Sequence, residues 1–418
     1  QSILALAAMI AGLCAAAVPA GAAFPATASS AKRANVLLIT IDTLRFDRIG
    51  FHSPEHVKTP SIDAFARGSV AFFHAYAHNP LTRPSHTNIM TGTVPPYHGV
   101  SDNPGFRLEP KFLTLAEHLK AAGYETGAFI GAFVLDSRFG LDQGFDTYDD
   151  SHGQAEIVAR RAEEVVTPGI DWISARKGPW FCWLHLFDPH DPYTPPEPFR
   201  SAYADDPYSG EVAYVDSQLA RVFAALEKSG AKSNTVVVLT ADHGEALGEK
   251  EEQYHGFFAY DSVLHVPLFI SAPGLSPAVV ADDVGYVDIF PTICGLLGLP
   301  APAWLQGESL VPLAAGRGRR SEAIYFESLS PHFFLDAAPL RGFIRNGRKF
   351  IDQPVAEVYD LAEDPAEEAN LASASDLSAL RKALEDLRKR FKGPGTTQDL
   401  DARGRESEAM LKSLGYVA

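Results

Sequence analysis

The chain has 418 residues, enough for one large α/β domain and a smaller appendage. Its composition, 46% hydrophobic and 21% charged, is that of a globular protein and excludes a disordered or fibrous one. A net charge of −16 excludes nucleic acid as the expected partner, because phosphate backbones are held by basic patches. It leaves room for a small anionic substrate, since a metal ion reverses the potential inside one cleft.

Residues 1–31 carry no charge. The Ala-rich run Ile3–Val18, followed by Pro19, Ala20, Gly21, Ala22 and Ala23, reads as a signal peptide over 1–23, with 24–33 as linker. The expectation is an exported protein, periplasmic or secreted, with no stable membrane insertion once the leader is removed. The other reading is a retained membrane anchor, because the run approaches spanning length. Cys182 and Cys294 lie in apolar runs and read as buried free thiols, a single disulfide being the alternative.

Asn35–Ile41 is a short β-branched run, expected as a buried strand, and similar runs recur at Thr126–Ile130, Trp180–Phe187, Thr235–Thr240 and Val266–Ser271. Helical patterns lie between them at Pro60–Arg67, Thr114–Ala122, Ile157–Ala175 and Val212–Lys228. The alternation predicts an α/β fold, a large and mostly parallel sheet with helices on both faces, over residues 34–315. Residues 316–418 change texture: strand-like pieces at Ala323–Glu327, Gly342–Arg345 and Lys349–Ile351 precede a charged helical pattern at Asp376–Lys392. They predict a small C-terminal α+β subdomain and tail.

The carboxyl ends of parallel strands face the binding crevice of such a sheet. Asp42 directly follows the first strand, and Asp242 and His243 follow Thr235–Thr240. Two carboxylates and an imidazole at one edge are a plausible ligand set for a divalent cation; taken singly, each Asp reads first as a helix cap. Thr82, in Asn79-Pro-Leu-Thr82-Arg83-Pro-Ser-His86, falls where Pro84 marks a helix start, with Thr82 or Arg83 at the cap. There free N–H groups and the dipole would favour an anion, and a metal beside the hydroxyl would activate it. The loop His185-Leu-Phe-Asp188-Pro-His190 and His255 add imidazoles; five of the fourteen histidines fall between 185 and 265, which points to a shared site.

In this order the blocks Asn35–Asp42 with Arg45, Thr82–His86 with Thr91-Gly92, Asp188-Pro-His190, Asp242-His243-Gly244-Glu245, His255-Gly256, Val358–Leu361 and Leu414-Gly-Tyr resemble the sulfatase branch of the alkaline-phosphatase superfamily. The resemblance implies an alkaline-phosphatase-like fold and a metal-dependent hydrolase of phosphate or sulfate esters. It implies Asp42, Thr82, Asp242 and His243 as metal ligands, with Thr82 also the nucleophile. His190 and His255 would hold the anion or assist the leaving oxygen. Arg83, His86 and His185 are expected to line the substrate, with His86 standing where sulfatases carry an arginine, and Arg45 is expected to brace the site through a carboxylate such as Asp47. The ion expected is zinc or manganese, with calcium as an option; a second metal, drawing on Asp188, His190 and His255, is open, as is the oligomeric state.

Departures from the pattern matter here. Sulfatases carry a Cys or Ser at position 82, converted to formylglycine, and Thr82 cannot undergo that conversion. The second aspartate usual after the first is Thr43. A threonine with an Asp/Asp/His set is similar to the phosphodiesterase and phosphoethanolamine-transferase branches, so the expectation favours phosphoester cleavage. Sulfate-ester hydrolysis without formylglycine, group transfer, or a catalytically inactive binding protein are the alternatives.

Overall fold

The computed structural model describes residues 33–151, 159–319 and 322–394. The leader, most of the linker and the Leu414-Gly-Tyr motif lie outside them.

Twelve strands are described. Those of the large sheet are β1 (Asn35–Ile41), β2 (Val70–Tyr76), β3 (Glu125–Ile130), β4 (Thr147–Asp149), β5 (Trp180–Leu186), β6 (Thr235–Ala241), β7 (His265–Ser271) and β8 (Ala278–Gly285). Their order is β4-β3-β5-β1-β6-β7-β2-β8. Neighbours run parallel except where β7 meets β6 and β2, so β7 alone among them is reversed. All seven residues of β1 are buried. Successive side chains point to opposite faces, so unbroken burial means that both faces of the sheet are covered there.

The sheet supplies the geometry of its own edge. β1 lies between β5 and β6, and Ile41 is in register with Leu186 on one side and Ala241 on the other. Asp42 and Asp242 each follow one of these residues, so the pairing places both acids at one level, on adjacent strands. Burying an aliphatic side chain is worth about 1.5–3 kcal/mol, and β1, β5 and β6 each bury every residue they have, which makes this centre the least yielding part of the frame.

The helix at Pro60–Arg67 has the expected bounds, and Leu115–Ala121 opens with a reciprocal cap in which Thr114 and Glu117 satisfy each other's backbone N–H groups. The pattern read at Ile157–Ala175 becomes a helix only at Ala162, and Val212–Lys228 extends back to Pro207, where Asp206 caps it through Ser209 N. Thr82–Thr91 is a helix buried at every position, ended by Gly92 in the left-handed conformation (φ 64°).

A second, antiparallel sheet runs β12-β11-β10-β9, from β9 (Ile324–Ser328), β10 (Leu340–Arg345), β11 (Arg348–Asp352) and β12 (Glu357–Asp360). It shares a core with the helix Leu377–Phe391 through Tyr325, Phe343, Phe350, Leu384 and Phe391. Lys349 on β11 is fully buried and pairs with Glu367 at 2.8 Å, while Glu367 also accepts the backbone N–H of Asp261, just before β7. Cys182 and Cys294 are buried free thiols. No helix among the described residues is long and apolar enough to cross a membrane.

Candidate active site

Asp42, Thr82, Asp242 and His243 are all fully buried. One ligand atom from each of Asp42, Asp242 and His243 lies within 4.8 Å of the other two. His243 Nδ1 donates to its neighbour's carbonyl, Gly244 O, at 2.9 Å, which turns the Nε2 lone pair inward. There Nε2 is 3.6 Å from Asp42 Oδ1, 3.6 Å from Asp242 Oδ2 and 3.4 Å from Thr82 Oγ1.

Neither oxygen of Asp42, nor Asp242 Oδ2, accepts a hydrogen bond. Burial pushes the Asp42 carboxyl up to about 7 against the pull of His243, and burial together with the Asp42 charge does the same to Asp242. His243 is driven down to about 4, first by burial and then by His255. Two buried carboxylates facing each other with empty lone pairs, beside an imidazole held in its ligand tautomer, fit a divalent cation; without one the arrangement is costly.

A layer of hydrogen bonds lies around this set. Thr40 Oγ1 takes the Trp183 indole N–H at 3.0 Å and sits 2.9 Å from His86 Nε2 and 3.1 Å from His185 Nδ1. His86 Nδ1 donates to Thr82 O at 2.7 Å, and His185 Nε2 faces Asp42 Oδ2 at 3.5 Å. Thr43 holds φ 54°, a conformation that a β-branched residue adopts at a cost of order 1–3 kcal/mol. That turn aims its N–H at Asp242 Oδ1, 3.2 Å away, and its carbonyl at the Tyr208 hydroxyl, 2.8 Å away.

Residues 34–299 match the family model described as Sulfatase, and residues 251–392 match the model of the N-sulphoglucosamine sulphohydrolase C-terminal region. The chain belongs to the sulfatase family. It is 25% identical to the sulfatase YidJ of Escherichia coli (strain K12), over 92% of this chain and 93% of that protein. It is 23% identical to the choline-sulfatase of Rhizobium meliloti (strain 1021), over 90% and 89%. Among solved structures, the phosphonate monoester hydrolase of Agrobacterium radiobacter superposes with TM-score 0.74 at 24% identity, covering 86% of this chain and 96% of that one, a likeness of fold. This sulfatase-family chain is thus a hydrolase of ester bonds with a buried group able to hold a metal.

Two sequence expectations about the Thr82 helix are corrected by the geometry. Leu81, in extended conformation, is the cap of the Thr82 helix, and Thr82 is its first helical residue with the hydroxyl turned to His243. The helix start offers fewer free donors than expected: Arg83 N–H goes to Asn103 Oδ1 at 2.9 Å, Pro84 has none, and Ser85 N–H goes back to Leu81 O. Arg83 is turned to backbone carbonyls. Its guanidinium is fully buried, donating to Val134 O, Asn103 O and Phe106 O and lying 3.5 Å over the Phe139 ring. His86 is likewise engaged at both nitrogens, and His185 meets Thr40 Oγ1 and faces Asp42 Oδ2 across 3.5 Å.

His190 and His255 do stand at the site, with ring centroids 5.1 Å apart and His255 4.4 Å from His243. Burial depresses both, to about 3 and about 4, so they are neutral near pH 7. Arg45 clamps Asp47 with two hydrogen bonds and reaches Glu249 and the Glu245 carbonyl. Among the described residues Asp42, Asp242 and His243 form the one cluster with metal-ligand spacing. The second-metal candidate Asp188 accepts from Ala162 N at 2.8 Å and faces Arg161 at 4.0 Å.

Beside Asp188, burial and then the Asp188 charge push Glu211 up to about 8, and its Oε2 has no partner. A carboxyl raised on folding contributes stability that is complete below its unfolded value, near 4.5, and is lost as pH rises through about 8. Glu211→Gln is therefore expected to raise the melting temperature at pH 8, with the gain shrinking to nothing towards pH 4.5. A gain equal at both ends would mean that charge burial is not its cause.

Proposed function

We propose that this chain hydrolyses esters whose reacting group carries a single negative charge, sulfate monoesters first. The charge balance of the site carries this reading. A divalent cation would be offset by the Asp42 and Asp242 carboxylates, and the neighbouring imidazoles are neutral. Arg45 is paired with Asp47 and Glu249 and Arg161 with Asp188, while Arg83, next to Thr82, is held by neutral backbone carbonyls with no acid in salt-bridge contact and so keeps one positive charge beside the site. Such a site neutralises one charge far better than two. The sulfatase names of the relatives favour a sulfate ester over the phosphoester preference read from position 82.

Phosphodiesters and phosphonate monoesters are the second reading, favoured by Thr82 itself. Its hydroxyl attacks directly where formylglycine cannot form, and the threonine ester so formed needs the site's cation and imidazoles for its cleavage by water. Asp42, Asp242, His243 and Thr82 would hold the cation. Zinc or manganese fits better than calcium, which prefers an all-oxygen shell. When bound it lowers the pKa of a neighbouring hydroxyl and offsets charge on a substrate oxygen. Thr82 Oγ1 attacks in line and releases its proton to solvent, His190 or His255 relays a solvent proton to the leaving oxygen on the opposite side, and water then releases the acid.

Paired turnover of aryl sulfate, phosphodiester, phosphonate monoester and phosphomonoester substrates tests the reading. The three monoanions are expected to exceed the dianionic phosphomonoester by at least about a hundred-fold. A phosphomonoester turned over fastest would overturn it.

A further inference from the structure

His265, the first residue of β7, meets an acceptor at each ring nitrogen. Nδ1 is 2.9 Å from Asp261 Oδ2, and Nε2 is 2.8 Å from the Phe73 carbonyl oxygen. A carbonyl takes a proton and has none to give, so Nε2 donates. Nδ1 donates to the carboxylate as well, and a ring that carries both protons is a cation. Its face lies on Phe46 with ring centroids 3.9 Å apart, a fit for a cation on an aromatic surface. His52 stacks on the same Phe46 ring at 3.8 Å and is driven down to about 3, first by burial and then by the His265 charge, so it stays neutral.

This cation is one of four charges that balance. Asp261 carries the first negative charge, and its Oδ1 is buried and accepts no hydrogen bond. The Asp261 backbone N–H goes to Glu367 Oε2 at 2.6 Å, and Glu367 Oε1 pairs with Lys349 at 2.8 Å. Lys349 and Glu367 are buried, and the side chains of His265 and Asp261 are only 13% and 19% exposed. Glu367 holds φ 55°, a strained conformation that these contacts maintain. Two cations and two anions thus join the start of β7 to β11 and the loop after β12. The other charged groups around His265 have partners of their own. Asp47 is clamped by Arg45, with Arg48 near it, and His74 on β2 faces Asp283 on β8 at 3.8 Å. Tyr76, 5.0 Å from the ring, is kept neutral by burial, and Lys250 donates to the Glu367 carbonyl.

We propose that His265 is a pH-sensitive lock: protonated, it closes the charge balance that holds the stretch from Gly256 to β7 on the C-terminal sheet, and on losing its proton it releases that stretch. With His265 neutral, Asp261 and Glu367 share one buried cation, Lys349, and a negative charge is left unanswered where water barely reaches. Against burial, the Asp261 charge raises His265 above its ordinary 6.5; in return His265, and then Lys349, hold Asp261 below the usual carboxylate range. A group raised on folding contributes stability that is complete below its unfolded value and is lost as pH rises through its folded one. The lock is therefore shut below about pH 6.5 and opens above it as His265 gives up its proton. Gly256 follows His255 and packs on Leu81, the residue before Thr82, so release loosens the mouth of the site. The device is independent of which ester the site cleaves.

¹⁵N-histidine spectra of the full wild-type chain, with the His265 signals assigned through their contacts to the Phe46 ring, read its charge without any variant. Two protonated ring nitrogens are expected at pH 6, falling to one with a midpoint above 6.5; a ring with a single N–H at pH 6 overturns the proposal. Melting temperatures of the variants, compared with their parents at equal pH so that the metal's own pH dependence cancels, test the balance. At pH 6 Glu367→Gln leaves an excess positive charge in the wild-type background and is expected to lower the melting temperature by about 2 °C or more. In the His265→Gln background the same change restores neutrality and is expected to raise it by a similar amount. The same sign in both backgrounds overturns the proposal. Hydrogen exchange locates the release: amides 256–264 are expected to exchange about ten-fold faster in His265→Gln than in wild type at pH 6, with the excess gone by pH 9. An equal excess at both pH values would make His265 a packing residue and also overturns the proposal.

Discussion

Thr82→Ala is expected to lower turnover by about 10³-fold or more while leaving metal content close to wild type. The loss follows from removing the attacking atom, which no neighbour replaces in kind: the groups facing it are carboxylates and imidazoles already bound up in the cation set or the proton path. The metal is retained because Asp242 and His243 keep their positions through bonds independent of Thr82, to Thr43 N, to the backbone of His243 and to Gly244 O, while Asp42 is held by its backbone N–H on Leu186 O at 2.9 Å. Thr82→Ser should recover part of the rate, since a hydroxyl returns without the methyl group that fixes its rotamer. Metal analysis alongside single-turnover kinetics checks both halves. Full activity in Thr82→Ala would remove Thr82 as nucleophile, and loss of metal with activity would recast it as a ligand alone.

The second large effect concerns Asp242→Asn, which should change stability in opposite directions with and without metal. In metal-free protein the variant removes one of two facing buried acids while keeping the oxygen that accepts from Thr43 N and His243 N. Its melting temperature is therefore expected to rise above that of metal-free wild type. Metal affinity is expected to fall on the order of a hundred-fold or more, because a lost ligand weakens binding at least as much as a lost partner behind one. Melting curves with a chelator and with added zinc or manganese separate the two effects. Wild type should gain from metal by mass action and Asp242→Asn should not. A metal-dependent gain preserved in the variant would mean that the cation sits elsewhere.

Much of the frame is legible in the sequence for a definite reason. β1, β5 and β6 are buried on both faces and so read as unbroken apolar runs that end in an acid or a histidine. β8 was not legible: it is an edge strand with Asp282 and Asp283 in it, and half of it is solvated. β2 was missed as well, because His74 breaks its apolar run where the strand is only half-buried. The register that sets Ile41 against Ala241 has no signal in either segment alone.

At the site, residue type was a good guide to the acids and a poor one to the cations. Arg83 reads as an anion binder beside a nucleophile, yet its role is set by three carbonyls contributed by the 103–134 segments, which local sequence does not reveal. The same holds for Glu245. Its place in Asp-His-Gly-Glu marks it as part of the motif, but its partners come from loops 52 and 10 residues away along the chain. The cap of the Thr82 helix was misplaced by one residue because Leu81 has no capping side chain and supplies only an extended backbone.

The reversed strand has a consequence for how such a chain changes over time. An antiparallel neighbour re-enters the sheet at the edge where the previous strand left it, with no crossover. The stretch 242–264 therefore departs from β6 and returns to β7 on one side of the sheet, both ends pinned by the β6–β7 ladder. It carries His255 and the exposed rings of Tyr254 and Phe257. Between Glu245 and His255 it is a cassette: residues 246–254 can be lengthened, shortened or exchanged while Asp42, Thr82, Asp242, His243 and His255 are kept. New substrates can be acquired by rewriting one segment, with the bond-breaking apparatus inherited intact.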